Sequence, residues 1–356
     1  METISTLGSH SALDVCEGAK RHNFKSLVVC KKGREKPYDK YYKTRVRNGI
    51  IIGIVDSTII LDEFKQIANK DVQKKLEDTV FVPNRSFAVY VGYDTIEKDI
   101  HFPIFGNKFL LRAEERDAPK NQFYLLGKAG IKMPKVYSRP EDIDSLAIVK
   151  VNEAKRRYER AFFVVSSYDD YMEKASQILG TGMVREEDLK NARIEEFVIG
   201  AQFNFNFFYS KVNEELELLG IDTRRQTDLD GFLHLPADVQ LEALRHKRPR
   251  NIEIGHFACT IRESFLENVF EIGERFVSAV EKEYGKFAGP FALQGFIDGN
   301  EEIKVFDVSL RMPGSPGTRF TPYCYYLHRR GCGVGERIAI EIREAINKEM
   351  LDEVTT

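Results

Sequence analysis

Tryptophan is absent from the 356 residues, so aromatic packing falls to 25 Phe and 15 Tyr. Cysteine is scarce and odd in number. Cys16, Cys30, Cys259, Cys324 and Cys332 form no CxxC pair, which argues against structural zinc and a disulfide framework and for reduced thiols. His101, His246 and His328 have no metal-ligand spacing and read as structural. No apolar run reaches the ~20 residues of a membrane span. No basic leader with an apolar core precedes the first strand-like run, so the chain is expected in the cytoplasm with no membrane partner. An excess of one charge is also missing. Against 53 Lys+Arg stand 55 Asp+Glu, a net −2, so nothing global draws nucleic acid, and any anion site must be local. Repeats and low-complexity tracts are absent.

What remains is an ordinary globular composition, 42% hydrophobic and 30% charged, long enough for two or three domains. The first hundred residues alternate strand-like and helical patterns. "TISTL" and "SLVVC" flank a helical "SALDVCEGAKRHN", in which Ala12, Leu13, Cys16 and Ala19 can share a face. "GIIIGIVD" reads as a third strand, "DEFKQIANKDVQKKLED" as a polar-faced helix and "TVFV" as a fourth strand. Such alternation predicts an open parallel sheet, whose ligands lie at the carboxyl ends of the strands. His10 and the "PNRSF" segment lie just past two of those ends and are expected to face one pocket.

Beyond residue 106 the pattern changes. A helix ends at Gly130, "LAIVKV" is a strand carrying Lys150, and "AFFVVSS" is its hairpin partner. "ARIEEFVIGAQFNFNFFYS" and "ELELLGID" alternate as antiparallel strands do. Phe265, Val269, Ile272 and Val277 stripe a long amphipathic helix. "FALQGFIDGNEEIKVFDVSLR" is two strands around a turn at Asp298–Asn300, and the chain closes on a helix, "GVGERIAIEIREAINKEM". The order is an α/β sheet over 1–106, a small α+β unit over 107–200 and a larger one over 201–356.

The lysine strand "AIVK", the acid-bearing strand "IEEFVIG" and the hairpin "FALQGF…VFDVSLR" together resemble the ATP-grasp superfamily. That resemblance implies an α/β fold: a Rossmann-like open parallel sheet, then two α+β subdomains that sandwich the nucleotide. The ordered set "TLGSHSALDVCEGAK", "FGNKFLLR", "SRPEDID", "LPADVQLE", "RESFLENVFEIGER" and "RIAIEIREAI" is more specific. From residue 3 to the end it resembles the archaeal formate-dependent FAICAR synthetases. These are ligases of purine (IMP) biosynthesis that use ATP and formate to formylate the 5-amino group of 5-aminoimidazole-4-carboxamide ribotide (AICAR), through formyl phosphate.

By this resemblance His10, Ser86 and His256 contact AICAR. Lys150, Glu195, Glu196, the Phe197–Val198 edge and Gln226 serve ATP. Gln294 and Asp307 hold Mg²⁺, or Mn²⁺ in its place, and Arg311 clamps the transferring phosphoryl group. A homo-oligomer is implied as well. Alternatives stay open at this point: another carboxylate–amine pair on the same fold, or a non-catalytic ribotide-binding relative. The chain also departs from the family pattern. The loop after Lys150, "VNEAKRRYER", has no glycine to close over phosphates and offers Lys155, Arg156, Arg157 and Arg160 instead. Tyr124 replaces an expected lysine, with Lys120 as a substitute. Gln226, His256 and Asp307 stand for Glu, Asn and Glu. Read without the resemblance, Ser86 is a helix N-cap, Lys150 a solvated lysine and Asp307 an ion-paired acid.

Overall fold

The computed structural model describes residues 1–151, 162–180, 182, 184–247, 249 and 252–356. The loop cations Lys155, Arg156, Arg157 and Arg160 therefore lie outside the described residues.

The alternating N-terminal segment forms a wholly parallel four-stranded sheet. Its strands are β1 (Thr3–Leu7), β2 (Lys25–Lys31), β5 (Ser57–Leu61) and β6 (Thr79–Val82), in the order β5-β2-β1-β6. The helix Ala12–Arg21 makes the first crossover and buries Ala12, Cys16 and Ala19 of the predicted face, with Leu13 only partly buried beside them. "GIIIGIVD" is not the third strand. Its first half, β4 (Ile50–Ile52), folds back on β3 (Arg45–Arg47) as an exposed hairpin, and β5 starts only at Ser57. The reason is local. Gly53 takes φ +87°, a conformation that ends a strand, and a Cβ there would lie 2.2 Å from the Lys43 carbonyl oxygen. Asp56 then locks the entry to β5, accepting from Lys20 Nζ and the Ser26 amide, each at 2.9 Å. The polar helix also breaks at Asn69 into two short turns, Phe64–Ala68 and Lys70–Lys74.

The second unit is an antiparallel sheet of β7 (Val136–Tyr137), β8 (Ala147–Lys150), β9 (Phe162–Val165) and β10 (Arg193–Glu196), ordered β7-β10-β8-β9. Residues 197–199 lead directly into the third, the five-stranded antiparallel sheet β13-β12-β11-β14-β15. Its strands are β11 (Gly200–Ser210), β12 (Glu215–Gln226), β13 (Glu253–Cys259), β14 (Gly289–Asp298) and β15 (Ile303–Ser309). The helix Leu266–Tyr284 lays Val269, Ile272, Phe276, Val277 and Val280 on this sheet. Phe265 sits in the short 3₁₀ turn before that helix and is only half-buried. The aromatic run "FNFNFFYS" is core: Phe207 stacks on Phe291 at 5.1 Å, and Phe205 and Phe208 are buried with it.

The last long helix, Val334–Asn347, returns to the first. Ile338 and Ile342 share one apolar cluster with Ile4, Val15 and Val82. The two backbones touch: a Cβ on Gly18 would lie 2.2 Å from the Gly335 carbonyl oxygen. Asp14 accepts from the Gly335 amide at 3.1 Å, tying the start of the late helix to the early one. Burial pushes the Asp14 carboxyl up to about 6, while the Gly335 amide works against that rise. On the other side Arg337, 2% exposed, bonds Glu217 at 2.7–2.9 Å and pairs with Glu341 at 3.0 Å. Burying one of these charges alone costs several kcal/mol, so the group holds only as a set. Among the described residues no helix is long and apolar enough to cross a membrane, and all five cysteines are free thiols.

Candidate active site

The site forms where the loop after β15 docks on the carboxyl ends of β1 and β6. Met312 bridges Asn84, its amide donating to Pro83 O at 3.2 Å, and Ser11 Oγ donates to Pro313 O at 2.6 Å. Asn84 is the cap of the following helix, accepting from the Phe87 amide at 3.2 Å. Ser86 is therefore not a cap. Its hydroxyl donates instead to Ser9 Oγ at 2.6 Å, beside His10. The two loops past β1 and β6 do face one another.

His256 reaches the same place from β13. A Cβ on Gly314 would lie 3.3 Å from His10 Cδ2 and 3.7 Å from His256 Nε2. The two imidazoles have opposite character. Burial and then the Arg311 guanidinium hold His10 below its usual value, so it is neutral near pH 7 and able to accept a proton or a hydrogen bond. Burial also works against charge on His256, but two carboxylates outweigh it and raise the pKa to about 9. Asp222 Oδ1 lies 2.6 Å from Nδ1 and Glu253 Oε1 lies 3.0 Å from Nε2. Both ring nitrogens are thus engaged, and His256 presents Glu253 to the site rather than a free nitrogen.

A continuous polar network extends from there. Asp222, 1% exposed, accepts from Asn204 at 2.8 Å and Asn206 at 2.6 Å. Arg224 pairs with Glu253 at 2.9 Å and donates to the side-chain oxygen of Gln294. Gln294 stands opposite Asp307 in the β14–β15 register. Its oxygen is already held by Arg224, so Asp307 is the carboxylate of this pair that offers oxygens to a cation. Asp307 is half-buried and makes no hydrogen bond or ion pair among the described residues. Those residues contain no cluster of three or more His, Cys, Asp or Glu able to hold a metal unaided. The donor set fits a divalent ion that takes one protein carboxylate and completes its shell with phosphate oxygens and water. Gln226 ends β12 opposite Glu253, its amide donating to Asp230 at 2.7 Å.

Arg311 lies beside a carboxylate that sequence reasoning missed. Glu114 is 3% exposed and accepts from the Leu310 amide at 2.7 Å, from Arg85 at 2.9 Å and from Arg311 at 3.4 Å. An acid so buried needs such partners, and Leu310 and Arg311 belong to the same loop that carries the site. Nothing in "RAEERDA" marks Glu114 over Glu115.

Of the residues expected to serve ATP, Lys150, Glu195 and Glu196 sit on the small sheet, and Gln226 does not. Lys150 pairs with Glu195, which also accepts from Arg193 Nε at 2.8 Å. Glu196 accepts from Lys304 at 2.7 Å and from the Lys135 amide at 3.1 Å, joining the two antiparallel sheets. The Phe197 amide donates to Leu146 O at 2.9 Å, so that N–H is taken, and Val198 is the next residue along the edge. Lys120 and Tyr124 do not turn toward Lys150. Both bind Glu283, each at 3.0 Å.

This arrangement has counterparts among solved structures. The crystal structure of an IMP biosynthesis protein PurP from Thermococcus kodakaraensis matches with a TM-score of 0.73 and 28% identity, covering 99% of this chain and all of that one. Biotin carboxylase from Campylobacter jejuni shares the fold alone, at a TM-score of 0.59 and 12% identity over 95% of this chain and 70% of that one. The molecule is an ATP-grasp ligase. Two family descriptions cover most of it: a protein of unknown function (DUF1246) over residues 4–137 and a domain of unknown function (DUF1297) over 170–356. Relatives named 5-formaminoimidazole-4-carboxamide-1-(beta)-D-ribofuranosyl 5'-monophosphate synthetase match it end to end. That of Methanopyrus kandleri is 39% identical over 99% of this chain and 95% of its own length, and that of Methanothermobacter thermautotrophicus 39% over 99% and 94%. The chain belongs to this synthetase family.

Proposed function

We propose that the protein joins formate to the 5-amino group of AICAR at the expense of ATP, in the cytoplasm, with Mg²⁺ or Mn²⁺ on the nucleotide. The observation that carries this reading is the approach of His10 and His256, with Glu253 on its ring, to the Gly314 loop that also carries Arg311, at the strand ends of the first sheet. An amine acceptor and an activated carboxylate need such a mixture of a proton acceptor and cations.

A formate oxygen attacks the γ-phosphorus of ATP, the bond to the β-phosphate oxygen breaks, and ADP leaves with the electron pair. Formyl phosphate now carries a good leaving group. The 5-amino nitrogen of AICAR attacks the formyl carbon, the carbon–oxygen bond to phosphate breaks with its electron pair leaving on inorganic phosphate, and the amine proton passes through neutral His10 to solvent. His10, held neutral, is the group we assign to accept a hydrogen bond from the amine, with Ser86 fixing the Ser9–His10 turn through its 2.6 Å bond. Arg311 neutralises charge on the transferring phosphoryl group. Lys150 and Glu195 face the triphosphate, the Val198 edge takes adenine, and Glu196 holds the two sheets together through Lys304. Gln226 and His256 are placed at the rim, His256 acting through Glu253. Asp307 would hold the divalent ion, with Gln294 oriented beside it by Arg224, and the ion supplies charge neutralisation on the phosphates. Phe257, Phe320 and Tyr326 are each more than half exposed, apolar surface that assembly as a homo-oligomer would cover.

The test is ADP release by the purified protein. It should require AICAR, formate and a divalent ion together and yield the formylated ribotide one for one. ADP release with neither cosubstrate, or none with both, rejects the reading.

A further inference from the structure

Segments 83–86 and 310–312 are stitched side by side, and each supplies one arginine to the same buried carboxylate. Resting on the formate-ligase reading, we infer that Arg85 binds the donor carboxylate, and that Glu114 is the positioning residue holding Arg85 and Arg311 as a two-armed cradle for it. Four observations lead there. First, two guanidiniums share one acid, Arg85 at 2.9 Å and Arg311 through its Nε at 3.3 Å, which leaves an excess positive charge. Each guanidinium has donors beyond those Glu114 engages. Second, the cradle lies between the two places the donor must serve. Arg85 precedes Ser86, whose hydroxyl bonds the residue next to His10, and both arginines act electrostatically on His10. Arg85 also acts on Asp307, the cation-side carboxylate. An acid that receives a phosphoryl group from one side and is attacked by an amine from the other has to sit between those groups. Third, Arg85 is 46% exposed, whereas Glu114 is 3% exposed, so one arm is reachable and the anchor is not. Fourth, a cleft of about 680 Å³ opens beside the pair, wide enough for a small carboxylate to enter; Arg85, Arg112 and Arg116 line it together with Asp94, Glu114, Glu115 and Asp117, and Asp94 is taken by Arg112 at 2.7 Å. Paired guanidiniums match the planar geometry of a carboxylate.

The deciding variant is Arg85→Gln, at a partly exposed position, with Glu114→Gln as the companion. For Arg85→Gln we expect the KM for formate to rise at least tenfold while those for AICAR and ATP stay within twofold. Broadening of the ¹³C-formate resonance by the wild-type protein with ADP should be lost in the same variant. For Glu114→Gln, thermal melting first establishes that the chain is folded. The formate KM should then rise without a matching change for AICAR, a split that a purely structural role would not produce. A raised AICAR KM with formate unaffected would give the cradle to the ribotide phosphate and overturn the inference, and so would no change in either. If formate binding depends on Arg85 yet no ADP is released with AICAR and formate, the proposed reaction fails and the carboxylate site stands. If turnover needs both cosubstrates but Arg85→Gln is indifferent to formate, the site fails and the reaction stands.

Discussion

Nδ1 of His256 lies 2.6 Å from Oδ1 of Asp222, and that carboxylate is itself gripped by the amides of Asn204 and Asn206. The pair makes the imidazole a cation at neutral pH, with a pKa raised to about 9. A folded value above the unfolded one means the contribution is complete below the ordinary 6.5 and is lost as pH rises through about 9. The melting temperature of the native chain should therefore exceed that of His256→Asn by most below pH 6.5, by an amount equivalent to roughly 3 kcal/mol. The gap should close by pH 10. Melting curves across that range check it, and a gap independent of pH would sink the assignment of charge.

Removing either member of the Ser86–Ser9–His10 corner should weaken the ribotide site alone. In His10→Ala and Ser86→Ala the stabilisation by AICAR should fall by about 0.5–1.5 kcal/mol in binding free energy, the net scale of one hydrogen bond. The shift caused by ATP should be unchanged. A thermal-shift titration with each ligand separately decides it, and undiminished AICAR binding removes these residues from the site.

Lys150→Ala should raise the KM for ATP by tenfold or more, because a phosphate contact by an ammonium is a charge-assisted bond. Stability should hardly change. Glu195 keeps Arg193 as a partner at 2.8 Å, so the buried carboxylate is not orphaned. A large drop in melting temperature with unchanged ATP kinetics would make Lys150 structural.

Divalent-ion dependence separates Asp307 from Gln294. Chelation should abolish ADP release, and Asp307→Asn should raise the Mg²⁺ needed for half-maximal rate about tenfold or more. Gln294→Ala should shift that concentration less, since its oxygen already accepts from Arg224. The reverse order of effects would move the cation site onto Gln294.

Gly18→Ala tests the contact between the first and last long helices. With 2.2 Å to the Gly335 oxygen, the added methyl forces the backbones apart. A loss of about 2–4 kcal/mol is expected, the upper range for overpacking. Chemical denaturation measures it, and a loss under 0.5 kcal/mol would mean the helices separate freely.

Much of this molecule is legible in local pattern. Alternation in "TISTL" and "SLVVC", the helical spacing of Ala12, Cys16 and Ala19, and the turn at Asp298–Asn300 all reappear as elements. "GIIIGIVD" misleads because an apolar run reads alike as a buried strand and as half of an exposed hairpin. Only Gly53 hints at the break, and its meaning depends on Lys43 lying against it. The stretch "RIEE" shows two acids, but not that one belongs to Lys150 and the other to Lys304, 108 positions away.

The sequence by itself determined most of the elements, the change from a parallel to an antiparallel pattern, and the family through its ordered motifs, because periodicity and turn chemistry act over a few neighbouring residues; it did not determine the β3–β4 hairpin or the break at Asn69. The tertiary structure alone decided which charges meet. His10, Arg85, Glu114, Arg311 and the β13 pair Glu253 and His256 come from five separate stretches. They act on one another only because the loop after β15 packs on the strand ends of the first sheet. Electrostatic and hydrogen-bond partners are chosen by distances of a few ångströms in the folded chain, which spacing along the sequence does not encode.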